Sequence, residues 1–256
     1  MGAAEQPGGC PFSGYVFAVI VAGRAAEKDT SPGAWIAAAV RHDSTVGSLV
    51  PPVFEAYARV FHPAVRYAGD DDIDVTWATV AAANATVAHP AMEWGSITGL
   101  MEFFDQADQS PLWDGAPARG HLPEHVAGLV AAVLRAHTAT PDDCFFGAPA
   151  EVLAAEAPTL TVGANDVILV RGPVELAARN MAEEPSEQSA TLWWPADRAW
   201  VVATDMDLVT TYVGGSSACI AGLLAHPGLE VAEVSASQGT GWDADEINPL
   251  PLDAPE

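Results

Sequence analysis

The stretch LWWPADRAWVVA at residues 192–203 places two short apolar runs on either side of a turn that contains Pro and Asp. β-prone runs of this length around such a turn are typical of a β-hairpin, with residues 195–198 as its turn. Adjacent side chains on a strand point to opposite faces, so Trp193 and Trp194 should lie on opposite sides of the sheet. The hairpin therefore predicts that the second half of the chain forms a sheet.

Further apolar runs bounded by turn residues predict strands on both sides of this hairpin. These runs are residues 144–146, 166–170, 208–213 and 229–234. A short helix is predicted at residues 217–225, between the last two runs. The end of the predicted domain is therefore expected to be a compact β-α-β unit.

The first half of the chain has helical signals instead. Proline in the first turn of a helix predicts helices over residues 31–41, 51–61 and 123–137, and Asp74 is the predicted N-cap of a helix that runs to about residue 88. The sequence thus predicts an α+β fold. An α-rich N-terminal half is expected to pack on a mixed or mainly antiparallel sheet formed by the C-terminal half.

The chain reads as one folded domain between two tails. Half of its 256 residues are apolar, which is enough for a sizeable core. Residues 1–12 are rich in Gly and Pro and predict a mobile N-terminal tail, and residues 235–256 predict an acidic, proline-containing C-terminal tail. Residues 13–234 are expected to form a single globular α+β domain that begins with a buried strand at 15–22.

The net charge of the chain argues against some classes of binding partner. Thirty-four acidic residues against ten basic ones give a formal net charge of -24 at pH 7. This charge repels nucleic-acid phosphates and anionic membranes, so we expect no nucleic acid and no membrane as partners, and we expect a protein partner to be basic. Three scattered cysteines do not form a disulfide framework, so a cytoplasmic location is expected. No cofactor is predicted.

Several longer strings resemble a family of uncharacterised actinobacterial proteins. They are LWWPADRAWVVATD at 192–205, TYVGGS at 211–216, PPVFEAYARVFHPA at 51–64 and VRGP at 170–173. The resemblance extends over most of the chain, from about residue 35 to 234. It implies one folded unit in a bacterial cytosol, and it transfers no functional residue to this chain.

One segment has the pattern of a metal site. His121-Leu122-Pro123-Glu124-His125 matches the H-x-x-E-H pattern of inverted zincins, in which two histidines hold zinc and a glutamate acts as base. Proline is tolerated only in the first turn of a helix, so Pro123 puts His121 at or before the N-cap, away from the face that carries His125. The pattern therefore favours an ordinary helix start. His121 and His125 are kept as an outside candidate for a metal site, and no catalytic residue is predicted.

Four residues near the predicted sheet are candidates for binding. If Trp193 fills the core, the indole of Trp194 faces outward and forms a binding surface, unless the helical half covers it. Arg171 could hold an anionic group of a ligand or pair with a carboxylate of the protein. Asp205 and Asp207 lie at alternate positions at a strand end, where they form either a carboxylate pair or a turn.

The acidic cluster at residues 70–74 has the density of a calcium site, because four of its five residues are aspartates. An EF-hand loop starting at residue 70 needs glycine at its sixth position and glutamate at its twelfth, where this chain has Val75 and Ala81. We interpret the cluster as a solvated loop in which Asp74 caps the next helix.

These observations favour an intracellular binding or interaction protein whose acidic surface suits a basic partner. An immunity protein or a regulatory protein that neutralises a basic protein would have this kind of surface. The alternative is an enzyme, either a metal-assisted hydrolase using His121 and His125 or another small-molecule enzyme with a site around Arg171, Asp205 and Asp207. No complete catalytic set is visible in the sequence, which favours the binding interpretation.

Overall fold

The computed structural model describes residues 19–69, 71–100, 112–153, 156–182 and 186–248. The strands are β1 (Ile20–Val21), β2 (Arg24–Ala25), β3 (Ala56–Phe61), β4 (Ala64–Ala68), β5 (Asp71–Val75), β6 (Cys144–Pro149), β7 (Thr159–Val162), β8 (Asn165–Gly172), β9 (Leu192–Pro195), β10 (Val201–Thr204), β11 (Thr210–Gly215) and β12 (Val231–Val234). The α-helices are α1 (Ala34–Ala39), α2 (Val46–Leu49), α3 (Trp77–Ala83), α4 (Trp94–Thr98), α5 (Glu124–Arg135), α6 (Ala150–Leu153) and α7 (Ser217–Leu224). Short 3-10 helices lie at Ser31–Gly33 and Val174–Ala178.

Eight of the strands form one sheet in the order β12-β3-β11-β10-β9-β6-β8-β7. Every neighbouring pair in this sheet is antiparallel. The hairpins β1–β2 and β4–β5 are separate two-stranded sheets. The protein therefore combines helices with a large antiparallel sheet.

The strand β3 pairs on both sides with strands from the end of the chain. Val60 lies opposite Thr211 of β11 and opposite Val231 of β12. Since β3 is antiparallel to both, β11 and β12 run parallel to each other, with α7 connecting them. The predicted β-α-β unit is therefore present, but β3 is inserted between its two strands.

The predicted α-rich N-terminal half is not confirmed. Residues 51–61, predicted as a helix, instead contain β3. The helix α2 ends at Leu49, before the two prolines, because a proline disfavours the helical conformation of the residue that precedes it. The interior of β3 is buried on both faces, as the low exposure of Tyr57 and Ala58 shows.

The prediction for residues 74–88 is wrong in its first part. These residues begin within β5, and the helix α3 covers only Trp77–Ala83. The N-cap is Thr76, whose Oγ1 accepts a hydrogen bond from the backbone N of Thr79 at 3.2 Å. Asp74 is therefore a strand residue and not a helix cap. The helices α1, α5 and α7 and the strands β6 and β8 to β12 lie where the sequence predicts them.

One face of the sheet is covered by α5 and α7. The apolar side of α5 carries Val126, Val130 and Leu134, which pack with Ile220 of α7 and with Trp193 of β9 in a single buried cluster. This spacing places the three α5 side chains on one face of the helix, so their burial accounts for its orientation.

The opposite face of the sheet is covered by α1 and the chain around α2. Ile36, Val46 and Val50 pack there with Trp194 and Tyr212, which lie on the strands. Because both faces are covered, the sheet forms the middle layer of three.

A third apolar cluster closes one end of the sheet. The ring of Trp94 in α4 contacts that of Trp77 in α3 and that of Trp113, with ring centroids 5.3 and 5.4 Å apart. Phe61 at the end of β3 and Val209 before β11 belong to the same cluster. Aromatic contacts of this kind stabilise the packing beyond the area they bury.

Residues 235–248, which the sequence predicts as part of a C-terminal tail, make contacts with the domain. Asp245 is 3% exposed and contacts Nε2 of His89 at 2.9 Å. The side chain of Asn248 donates to the backbone O of Val87 at 2.9 Å. These contacts tie the segment to the loop between α3 and α4.

Other predictions fall wholly or partly outside the described residues. The predicted N-terminal tail, residues 1–12, lies outside them, as do residues 249–256 of the predicted C-terminal tail. Of the strand predicted at residues 15–22, the described part contains β1, where Val21 is buried. In the described ranges, no helix combines the length and the apolar character needed to cross a membrane.

Candidate functional site

The hairpin of β4 and β5 lies beside the start of α5, and a groove with a volume of about 380 Å³ separates them. We call this cavity the hairpin groove. Its lining comes from the hairpin, the loop before α5, the first turn of α5 and two segments that precede β9. The lining residues include Val65, Asp72, Ala118, His121, Leu122, Glu124, His125, Arg179, Glu187, Gln188 and Ser189.

The groove is rich in carboxylates and imidazoles. Glu124 and Glu187 are exposed. Nε2 of His125 lies 2.8 Å from a carboxylate oxygen of Asp74, which links the start of α5 to β5. Nε2 of His121 lies 3.8 Å from the carboxylate of Glu187. The side chains that line the groove can therefore form ion pairs and hydrogen bonds with a polar ligand.

A buried histidine holds the loop that leads into the groove. His62 is 0% exposed, and its Nδ1 lies 2.6 Å from the backbone O of Ala118. A carbonyl only accepts, so Nδ1 carries the proton, and Nε2 accepts from Oγ1 of Thr211 at 2.9 Å. The Thr211 hydroxyl lies 2.6 Å from that of Thr204, and because it donates to His62 it accepts the hydrogen bond that Thr204 donates. Burial lowers the pKa of His62 to about 4, so the imidazole is neutral at pH 7. The donor and the acceptor of each hydrogen bond in this series are therefore fixed.

Two more buried polar side chains hold the next residues of the loop. Nε2 of Gln188 donates to the backbone O of Gly120 at 3.0 Å. Oγ of Ser189 accepts from the backbone N of Leu122 at 2.9 Å. The loop is thus fixed from inside the protein, and a ligand does not need to order it on binding.

Gly120 is expected to be required for this loop conformation. Its φ is +78°, and an added Cβ would lie 2.8 Å from the backbone O of Met206. Left-handed backbone costs other residues about 1–2 kcal/mol, and the contact adds to that, so Gly120→Ala should lower the free energy of unfolding by about 2 kcal/mol or more. Urea denaturation followed by circular dichroism measures the change. Gly99→Ala is the matched control, because Gly99 has a φ of +74° and open space around the added Cβ. An equal loss in the two variants would contradict the role of the Met206 contact.

The H-x-x-E-H segment does not bring its histidines together as metal ligands. Pro123 is the N-cap of α5, so His121 precedes the helix. The ring of His121 contacts the backbone O of Arg119 and the carboxylate of Glu187, whereas His125 contacts the hairpin. Within the part of the chain that the structure describes, no group of three or more His, Cys, Asp or Glu residues could hold a metal ion.

Trp194 does not form an outward-facing binding surface, which is one of the two alternatives that the sequence leaves open. Its indole is 1% exposed and stacks on Phe145 with ring centroids 5.4 Å apart. Gly33 packs so closely that an added Cβ would lie 3.1 Å from the indole, and Leu160 completes the cover. Trp193 is 2% exposed on the other face. Coverage by a packed layer, the second of the two alternatives, is therefore the one observed.

Arg171 pairs with a carboxylate of the protein. Its Nη2 donates to Oδ2 of Asp143 at 2.7 Å, and its Nε donates to Oδ1. The guanidinium also lies 5.1 Å from the ring centroid of Phe145. The hydrogen bond from Arg171 lowers the pKa of Asp143. The guanidinium therefore has an internal partner and does not point into the hairpin groove.

Asp205 and Asp207 form a turn. Oδ1 of Asp205 accepts from the backbone N of Asp207 at 2.9 Å, and its backbone O accepts from the backbone N of Leu208. Oδ1 of Asp207 pairs with Nη2 of Arg119 at 2.7 Å. The two carboxylates have separate partners and do not converge on one ligand.

A buried ion pair has no signal in the sequence. Arg59 on β3 is 1% exposed, and its Nη2 lies 2.8 Å from Oε1 of Glu93. Its Nη1 donates to the backbone O of Met92 at 2.9 Å, and its guanidinium lies over the rings of Phe61 and Trp77. The pair joins the sheet to the segment that precedes α4 and lies away from the lining of the hairpin groove.

Comparison of the chain with protein-family models, with curated proteins and with solved structures gave no match in any of the three. The function is therefore argued from the geometry and charge of the molecule itself. The hairpin groove is the described cavity in which residues singled out in the sequence, His121 and His125, lie beside carboxylates.

Proposed function

We propose that the protein binds a basic protein partner through its acidic surface. The formal net charge of -24 creates a field that attracts basic proteins and accelerates their association. The same field disfavours nucleic acids, whose phosphates carry the same sign of charge.

The pairing of the basic side chains carries the proposal. All ten basic residues lie in the described part of the chain. Four of them form ion pairs with carboxylates: Arg59, Arg119, Arg135 and Arg171. These guanidinium groups already have carboxyl partners within the protein. The many other carboxylates on the surface therefore have few positive charges near them, and their charge acts on a partner.

The partner is proposed to be a protein that this one neutralises or regulates inside a bacterial cell. An immunity protein that blocks a basic toxin and a regulatory subunit of a basic enzyme both use such a surface. The resemblance to uncharacterised actinobacterial proteins motivates the proposed cytosolic location.

Calorimetric titration with nona-arginine tests the proposal. We expect saturable binding at about 50 mM salt and much weaker binding at about 300 mM, because salt screens exposed charges. Nona-glutamate and duplex DNA are the controls and should not bind. Absence of saturable nona-arginine binding at the lower salt concentration would overturn the proposed function.

A further inference from the structure

We infer that the hairpin groove is the site that receives an extended basic segment of the partner, with an arginine or lysine side chain inserted between the hairpin and the start of α5. This inference rests on the proposed function and adds to it the location of the contact and the chemistry of the occupant.

The charges that line the groove favour a cation. Asp72 on the hairpin, Glu124 at the start of α5 and Glu187 before β9 all line it, against the single guanidinium of Arg179. These three carboxylates come from three separate segments of the chain. A guanidinium carries N–H donors on several sides, so carboxylates that come from separate segments suit an arginine in particular.

An exposed aromatic ring lies on the hairpin beside a residue of the groove lining. Tyr67 on β4 is 63% exposed and lies directly opposite Asp72 on β5. Directly opposed residues of an antiparallel pair share a face, so the ring and the carboxylate are presented together. A cation near this face can contact the ring and the carboxylate at once, and contact with an exposed ring adds to its binding.

Two arginines of the protein itself are each held by a carboxylate and an aromatic ring together. The guanidinium of Arg171 pairs with Asp143 and lies over the ring of Phe145. Arg59 pairs with Glu93 and lies over aromatic rings in the same manner. Asp72 in the groove lining and Tyr67 directly opposite it on the hairpin present the same two kinds of group, a carboxylate and a ring, to the solvent. An arginine of a partner is therefore the ligand that matches it.

The groove is also fixed in shape before a ligand arrives. His62 and Gln188 hold the backbone of Ala118 and Gly120 from inside the protein. A site whose backbone is already ordered loses less conformational entropy on binding. This supports a site for one extended segment over diffuse attraction to the whole surface.

The test compares nona-arginine binding to two double variants with the same change in charge. Glu124→Gln with Glu187→Gln removes carboxylates from the groove, and we expect affinity to fall about tenfold or more. Glu233→Gln with Glu246→Gln removes two exposed carboxylates elsewhere and should change affinity by about twofold or less. Circular dichroism confirms that each variant is folded.

A third variant tests the aromatic contact. Tyr67→Leu should weaken nona-arginine binding about threefold or more, whereas Tyr67→Phe, which keeps the ring, should bind like the wild type. Equal losses in the two double variants would mean that the peptide is attracted to the surface as a whole, and would overturn the groove as its site while the proposed function stands. Absence of binding to the wild-type protein would instead overturn the proposed function.

Discussion

Replacement of Trp194 by alanine is expected to lower the free energy of unfolding by about 3–5 kcal/mol. The indole is 1% exposed, stacks on Phe145 and packs against Gly33. Gly33 has no side chain that could move into the space left by the indole, so a cavity would remain between the sheet and α1. Urea denaturation followed by far-UV circular dichroism measures the loss without relying on tryptophan fluorescence.

Trp242 provides the control for this measurement. Its side chain is 63% exposed, so Trp242→Ala should change the free energy of unfolding by no more than about 0.5 kcal/mol. Similar small losses in the two variants would show that Trp194 lies at the surface, in disagreement with the packing described above.

The second large effect concerns pH, because two buried groups should change stability in opposite directions. Burial lowers the pKa of His62 from 6.5 to about 4. The unfolded chain therefore takes up a proton that the native protein resists. The resulting stabilisation, about 3 kcal/mol, is complete above pH 6.5 and is lost as the pH falls through 4.

Glu93 acts in the reverse sense. Burial raises its pKa from 4.5 to about 7, and this effect outweighs the attraction of Arg59, whose Nη2 lies 2.8 Å away. Glu93 therefore binds a proton more readily in the native protein than in the unfolded chain. Its contribution to the free energy of unfolding, about 3 kcal/mol, is complete below pH 4.5 and is lost as the pH rises through 7. Between about pH 4.5 and 6.5 the contributions of His62 and Glu93 oppose each other.

The comparison of wild type with His62→Gln and Glu93→Gln separates the two contributions. The stability advantage of wild type over His62→Gln should grow by about 3 kcal/mol from pH 4 to 6.5. Its advantage over Glu93→Gln should shrink by about 3 kcal/mol from pH 4.5 to 7. The controls His42→Gln and Glu246→Gln, at exposed positions, should show nearly constant differences. If the stability differences for His62→Gln and Glu93→Gln changed with pH in the same direction, this account would be contradicted.

Part of the fold could be predicted because its information is local. The hairpin of residues 192–203 has both strands and its turn in one stretch, and β9 pairs with β10 as expected. The strand β3 was predicted as a helix because its partners lie far along the chain. A strand buried on both faces has no alternation of apolar and polar residues, and Pro51-Pro52 has the pattern of a helix start.

The candidate site could be predicted only in fragments. His121 and His125 were singled out by their spacing, and both line the groove. Asp72 and Glu187 come from segments that no local pattern connects to them. The pair Gly69-Asp70, between two runs of alternating apolar residues, is typical of a hairpin turn. This signal could have predicted the hairpin of β4 and β5, which forms one side of the groove.

The position of β3 has a consequence for synthesis of the protein on the ribosome. The apolar segment 56–61 emerges early, but its two partner strands, β11 and β12, emerge only when most of the chain has been made. Until then both of its edges are open to pairing with other chains, which is the condition that promotes aggregation and recruits chaperones. Fragments that separate residues 56–61 from residues 210–234 should therefore not fold alone, and the two halves should assemble only when both are present.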